Sequence, residues 1–146
     1  MIRLATTGDA LGALTAEAGI PGLESDVVRE LVDEACKAGG CLVHIASNDD
    51  VDGFVVTSER SFFGRDFVRL LSVSASHQRS GIGSALLMAA VLQATTDVVF
   101  TSTNESNGAM RALLRRDNWT YSGTLTGLDE GDPELVFWRE RMILPG

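Results

Sequence analysis

The segment that most constrains this chain runs from Phe67 to Ala94. Phe67–Val73 reads as an apolar strand, and the short stretch Ser-Ala-Ser-His-Gln-Arg-Ser carries it into Gly81-Ile82-Gly83. The residues after Gly83 are small or apolar through about Ala94, and a helix of that composition has to be buried against a sheet. Two glycines at its mouth let backbone N–H groups approach an anion without side-chain obstruction. The free amides and positive dipole end of the first turn favour negative charge at the same place. Arg79 adds a cation beside it.

Two familiar phosphate loops do not fit. A nucleotide P-loop closes on Gly-Lys-Ser/Thr, whereas Gly83-Ser84 has no lysine before the serine. A dinucleotide fingerprint needs a third small residue where Leu86 stands, and a shorter loop than Ser74–Ser80.

The remaining pattern places this unit in an α/β chain. Residues 1–6 read as a short strand, and Thr7-Gly8-Asp9 caps a helix to about Ala18 that Gly19-Ile20-Pro21-Gly22 breaks. From Glu24, Val27, Val28, Leu31, Val32 and Ala35 recur at helical spacing until Gly39-Gly40. Cys41–Ser47, Val51–Ser58 and Phe67–Val73 are strand-like, with Asn48-Asp49-Asp50 and a longer Ser61–Gly64 turn between them. Asp97–Thr101 is a strand, and Asn104 or Ser106 caps a helix carrying Met110, Leu113 and Leu114. Trp119–Leu125 and Glu134–Arg141 are the last two strands. At 146 residues, with no linker or repeat, residues 1–146 are expected to form one domain of order β-α-α-β-β-β-α-β-α-β-β.

The turn Gln78-Arg79-Ser80-Gly81-Ile82-Gly83 resembles the Gln/Arg-x-x-Gly-x-Gly/Ala signature of the GNAT superfamily of N-acetyltransferases. The preceding strand ending in Val73, His77 in the loop and the later asparagine helix match as well, so the resemblance covers essentially the whole chain. It implies a GNAT-like mixed, partly splayed sheet flanked by helices, with acetyl-CoA as cofactor. Gln78 and Arg79 belong to the signature, and the backbone from Arg79 through Ser80, Gly81, Ile82, Gly83 and Ser84 would cradle the CoA pyrophosphate. Leu71 and Val73 would hold the pantetheine and thioester where Phe67–Val73 and Asp97–Thr101 splay apart. The Val73 N–H would then meet the thioester oxygen as charge grows on it. Asn107, the first residue of an Asn-x-x-Ala-x-x-x-Tyr helix motif, would bond the cofactor or the facing strand.

The chain departs from that pattern where proton transfer is expected. Leu114 stands at the position of the tyrosine that protonates the leaving thiolate in many relatives, and Met110 at that of the alanine. Phe67 stands where relatives with a catalytic glutamate carry it. No catalytic residue is therefore assigned; Asp66, Glu59, Ser72 and Tyr121 are substitutes that also read as surface or packing residues. The alternative to an enzyme is an acyl-CoA sensor or partner-binding module on the same fold.

Charge and composition bound the partners. Twelve basic against twenty acidic residues give a net charge of −8, which repels nucleic acid. A cationic or amine-bearing acceptor, small molecule or peptide, is better tolerated. The acidic stretch Leu128-Asp129-Glu130-Gly131-Asp132-Pro133-Glu134 is either a solvated turn or a wall of the acceptor site. The adjacent Phe62 and Phe63 pack on the core, a substrate or another subunit. No apolar run is long enough to span a membrane, and no signal peptide is read at the N-terminus, so a soluble cytoplasmic protein is expected. Cys36 and Cys41 read as reduced, plain small residues, and the distant His44 and His77 argue against zinc. Relatives often dimerise through their terminal strands, which makes a homodimer a further expectation.

Overall fold

The alternation of apolar residues puts two different cores on the two faces of one sheet. The structure, a computed structural model, describes residues 1–6, 8, 9, 11, 25–77 and 80–142. The helix expected between Thr7 and Ala18, and the residues Gln78 and Arg79, lie outside the described residues or largely so. Seven strands, β1 (Ile2–Leu4), β2 (Cys41–Ile45), β3 (Val51–Phe62), β4 (Arg65–Val73), β5 (Val98–Asn104), β6 (Thr120–Leu125) and β7 (Glu134–Glu140), lie in the order β1-β2-β3-β4-β5-β7-β6. The described helices are α1 (Ser25–Ala38), α2 (Ile82–Leu92) and α3 (Gly108–Arg116). Every neighbouring strand pair is antiparallel except β4–β5, which α2 connects as a crossover.

Leu42, Val55, Val68 and Val99 point to the face covered by α2 and α3, where Leu86, Leu87, Val91 and Leu114 meet them. Cys41, Val43, Phe54 and Val56 point the other way and pack on Val28 and Val32 of α1. The fit of α2 on the sheet is close: a β-carbon on Gly53 would come within 2.9 Å of Leu86 Cδ1 and 3.1 Å of the Ser72 carbonyl oxygen.

Helix α1 stops as its sequence dictates. Gly39 takes a left-handed φ of +77°, its N–H donates to the Cys36 carbonyl, and Gly40 N–H donates to the Ala35 carbonyl. Gly40 then meets β3, and Thr57 N–H donates to its carbonyl at 2.7 Å. Both cysteines are free, and burial pushes both thiols up, so neither is a ready nucleophile. His44 Nδ1 lies 2.6 Å from Asp52 Oδ1 across the irregularity between β2 and β3.

The expected Ser61–Gly64 loop is shorter than its sequence suggests. β3 continues through Phe62, Phe63 and Gly64 alone make the turn, and β4 begins at Arg65. The apparent loop residues are an irregularity in the β3–β4 ladder, where pairing shifts between Ser58 and Phe62. Among the described residues no helix is long and apolar enough to cross a membrane, and no group of His, Cys, Asp or Glu is placed to hold a metal ion.

A β-carbon at Gly40 would sit 2.4 Å from the Thr57 carbonyl oxygen, whereas one at Gly39 meets nothing within 4 Å. Gly40→Ala should therefore lower stability by about 2–4 kcal/mol, and Gly39→Ala by only about 1–2 kcal/mol for its left-handed φ; urea denaturation of both variants measures the difference. At the N-terminus, Arg3 bonded to Asp9 and the Thr6 N–H hold the Asp9 carboxyl down at about 2, against an ordinary 3.8. Its contribution is complete above the ordinary value and is lost as pH falls through about 2. Asp9→Asn should flatten the fall in stability between about pH 4 and pH 2 while leaving the neutral-to-alkaline limb parallel to wild type. An unchanged acid limb would refute the clamp.

Candidate functional site

The loop after β4 shapes an open helix terminus. Ser74 N–H donates to the Asp52 carbonyl at 2.8 Å, which keeps the end of β4 on β3. Residues Ala75–His77 form one short turn, with the Ser74 and Ser76 hydroxyls both bonded to His77 Nδ1. The Ser80 hydroxyl donates to the His77 carbonyl. Gly81 occupies the N-cap of α2 at φ 85°, ψ 0°, a left-handed conformation suited to glycine, and no side chain caps the helix. The helix begins at Ile82, and the Ala85 N–H donates to the Gly81 carbonyl. The amides of Ile82, Gly83 and Ser84 precede that bond and have no partner within the helix. The Ser84 hydroxyl is committed elsewhere, donating to Asp117 Oδ2 at 2.7 Å, so Ser84 offers its backbone.

Beside this turn the sheet forks. β4 and β5 pair only at Asp66–Val99, Phe67–Phe100 and Val68–Thr101. The Thr101 hydroxyl donates to the Val68 carbonyl at 3.0 Å, the last bond before the strands part. Beyond it, β5 follows β7, with Ser102–Asn104 paired to Val136–Glu134, while β4 follows β3. A shift in the β3–β4 register leaves Arg69 without an opposite residue at the start of the fork. Because Ser74 N–H points to β3, strand alternation turns the Leu71 and Val73 amides toward the gap. A β-carbon on Gly83 would meet Leu113 Cδ1 at 3.2 Å, Val73 Cγ2 at 3.7 Å and Leu71 Cδ2 at 3.9 Å. Turn and fork thus adjoin.

The closed end of the fork is pinned by Asp66, one of the substitute proton-transfer groups that the sequence suggests. Its carboxylate is buried and accepts from Arg60 N–H at 3.1 Å, Thr95 N–H at 2.7 Å and the Thr95 hydroxyl at 2.9 Å. Its own N–H donates to the Thr96 hydroxyl at 3.0 Å. Asp66 is a structural clamp. Tyr121 lies on β6, separated from β5 by β7, with its hydroxyl bonded to the Thr124 hydroxyl. Glu59 is exposed and Ser72 is buried in the sheet.

The far wall of the fork is held by the acidic loop. Asp132 accepts from Ser106 N–H at 3.0 Å and the Ser106 hydroxyl at 2.6 Å, and Asn104 Nδ2 donates to Asp129 Oδ2 at 2.8 Å. Two of its carboxylates therefore brace the β5–α3 connection. This also corrects the capping expectation: Asn104 and Ser106 serve that brace, and Asn107 caps α3 by accepting from Met110 N–H. Only Nδ2 of Asn107 is left to meet a cofactor. Leu114, at the tyrosine position, is fully buried in the core. Phe62 packs 5.0 Å from both Phe67 and Phe100, whereas Phe63 is 86% exposed.

Of the ten residues the sequence assigned to the cofactor, the structure brings Leu71, Val73, Ser80, Gly81, Ile82, Gly83 and Ser84 to one end of the sheet. Gln78 and Arg79 lie outside the described residues. The sequence did not reveal the contacts of Asp66, Thr95, Thr101 and Asp117, which join residues about thirty positions apart and show no periodicity.

The fold is that of several solved acetyltransferases. A GNAT-family acetyltransferase from Bacillus cereus is 27% identical, with 98% of each chain covered and a TM-score of 0.86. The ribosomal-protein-alanine N-acetyltransferase from Brucella melitensis is 21% identical over 96% of this chain and 99% of its own, with a TM-score of 0.77. The Salmonella typhimurium protein yncA, solved with its cofactor acetyl-CoA, is 21% identical over 100% of this chain and 96% of its own, with a TM-score of 0.77. No sequence among curated proteins matches the chain. Residues 13–118 match the model of the acetyltransferase (GNAT) family, and the chain belongs to that family, whose cofactor is acetyl-CoA.

Proposed function

We propose that this protein transfers the acetyl group of acetyl-CoA to a primary amine carried by a small molecule or a peptide. The observation that carries the reading is the junction of an uncapped, glycine-lined helix terminus with a forked pair of strands. The open amides fit the group: Ile82, Gly83 and Ser84 present N–H donors at the positive end of α2, which suits a pyrophosphate. We assign Ser80, Gly81, Ile82, Gly83 and Ser84 to that cradle, and Leu71 and Val73 to the acyl end. Gln78 and Arg79 belong to the same turn by sequence. Asn107 has its side-chain amide nitrogen to contribute after its oxygen caps α3.

Acetyl-CoA supplies a thioester whose carbon–sulfur bond breaks as a carbon–nitrogen bond to the amine forms, with one proton lost from nitrogen to water and one gained by sulfur from solvent. The chain's own contribution is positional and electrostatic. The β4 amides aimed into the gap stabilise charge growing on a carbonyl oxygen held there. The fork fixes the distance between acyl carbon and amine, and such positioning alone accounts for several powers of ten in rate. Proton transfer to water is consistent with Leu114 in the core, Phe67 in an aromatic cluster and Asp66 locked in its clamp.

Those same residues favour a second reading, a protein that binds acyl-CoA without turning it over. One experiment separates the two. Calorimetry should show acetyl-CoA binding, and a thiol reagent should detect CoA released with at least one member of an amine panel. Gly81→Ala, which forces a side chain onto φ 85°, should weaken acetyl-CoA binding at least tenfold. Gly108→Ala, where a β-carbon meets nothing within 4 Å, should leave it unchanged. Binding with no release for any amine would leave only the second reading, and absence of binding would remove both.

A further inference from the structure

The face of the fork away from α2 and α3 carries an open groove of about 640 Å³. Its walls are mainly Phe62, Phe63, Phe100, Leu125, Val136 and Trp138. The rings are ordered on one another: Phe62 stacks on Phe67, tilts against Phe100 and meets the edge of Phe63, each at 5.0 Å. Phe100 pairs with Phe67 on one side and Trp138 on the other, so three strands contribute to one aromatic floor. That floor ends where the sheet opens. Phe67–Phe100 is the last pair on this face before the fork, and Ser102 begins the fork about 7 Å further along β5.

Resting on the acetyltransferase reading, we propose that this groove holds the body of the acceptor, and that the acceptor is an arylalkylamine with two or three carbons between ring and nitrogen. An aromatic ring lying on Phe62, Phe100 and Trp138 gains offset or edge contacts. A short saturated spacer then carries the nitrogen across the distance to the fork. The charge of the groove selects against polycationic amines. Arg65 is the one charged side chain among the described lining residues, and its guanidinium donates to the Phe63 carbonyl. A polyamine would find no carboxylate there, because no Asp or Glu is among the described lining residues. Phe63 points to the same use. The two-residue turn it makes with Gly64 requires its left-handed φ of +50°, which Asn, Asp or Gly adopts more readily, whereas nothing in the turn requires a bulky ring 86% exposed at the rim of the groove.

The test compares 2-phenylethylamine and tryptamine with hexylamine, spermidine and a lysine-bearing peptide, using CoA release as one readout and, for 2-phenylethylamine, the tryptophan fluorescence that Trp138→Phe removes as the other. The aryl amines should show kcat/KM at least tenfold above the rest. Phe63→Asn, which suits a left-handed turn, and Leu125→Glu, at a half-exposed rim position, should each raise their KM at least fivefold. Neither change should alter the affinity for acetyl-CoA. Equal efficiency for all amines, a preference for spermidine or the peptide, or a dimer in sedimentation that buries this face and dissociates in Leu125→Glu would each overturn the proposal. If acetyl-CoA binds and no amine is acetylated, the transfer reading fails by itself. Saturable quenching by 2-phenylethylamine that Phe63→Asn weakens would then still support the groove, and no quenching would overturn it.

Discussion

The buried carboxylate of Asp66 on β4 collects three donors from two other segments, and the shape of the sheet depends on it. Arg60 reaches it from the irregular end of β3, while Thr95 reaches it from the connection between α2 and β5. A buried carboxylate is costly unless such donors surround it, so the three segments are held to one arrangement. That arrangement closes β4 on β5 at Asp66–Val68 and nowhere beyond. Once β4 stays with β3 and β5 with β7, the strands diverge, and the gap between them adjoins the mouth of α2. The groove, the fork and the helix terminus are therefore consequences of one pinned corner.

A second set of polar contacts fixes the opposite wall. Asp132 and Asp129 brace the β5–α3 connection, and Ser84 on α2 bonds Asp117 beyond the end of α3. Arg139 of β7 donates to the Asp117 carbonyl at 2.8 Å, so α2, α3 and β7 meet at one residue. These contacts place α3 so that Leu114 fills the core and Leu113 rests against Gly83. Four carboxylates crowded into one loop look like a charged surface when read along the chain, but in space two of them are structural ligands of main-chain and hydroxyl donors.

What could be read from the sequence follows local rules. The helix terminus at Gly81, the end of α1 at Gly39-Gly40 and the strands β2, β4 and β7 are specified by glycine conformation and by alternation within a few residues. The family motif adds the cofactor by resemblance, and the family match agrees with it. The Ser61–Gly64 stretch misled because a serine and a glycine around two phenylalanines in an irregular hairpin look like a loop. Its Phe62 proved to be the centre of an aromatic cluster that joins Phe67 on the neighbouring hairpin strand to Phe100 on β5, which is distant in sequence. The Asp66 clamp was out of reach for a like reason: a lone aspartate before an apolar run carries no sign of partners twenty-nine residues later.

Amide hydrogen–deuterium exchange, with and without acetyl-CoA, tests most directly whether turn and fork act as one cofactor site. Protection should appear together at the amides of Ile82–Ser84 on α2 and Leu71–Val73 on β4. The amides around Asp66, already held by the clamp, should exchange slowly in both states. Protection confined to one of the two segments, or appearing on α1 instead, would contradict a single site spanning the helix terminus and the divided strands.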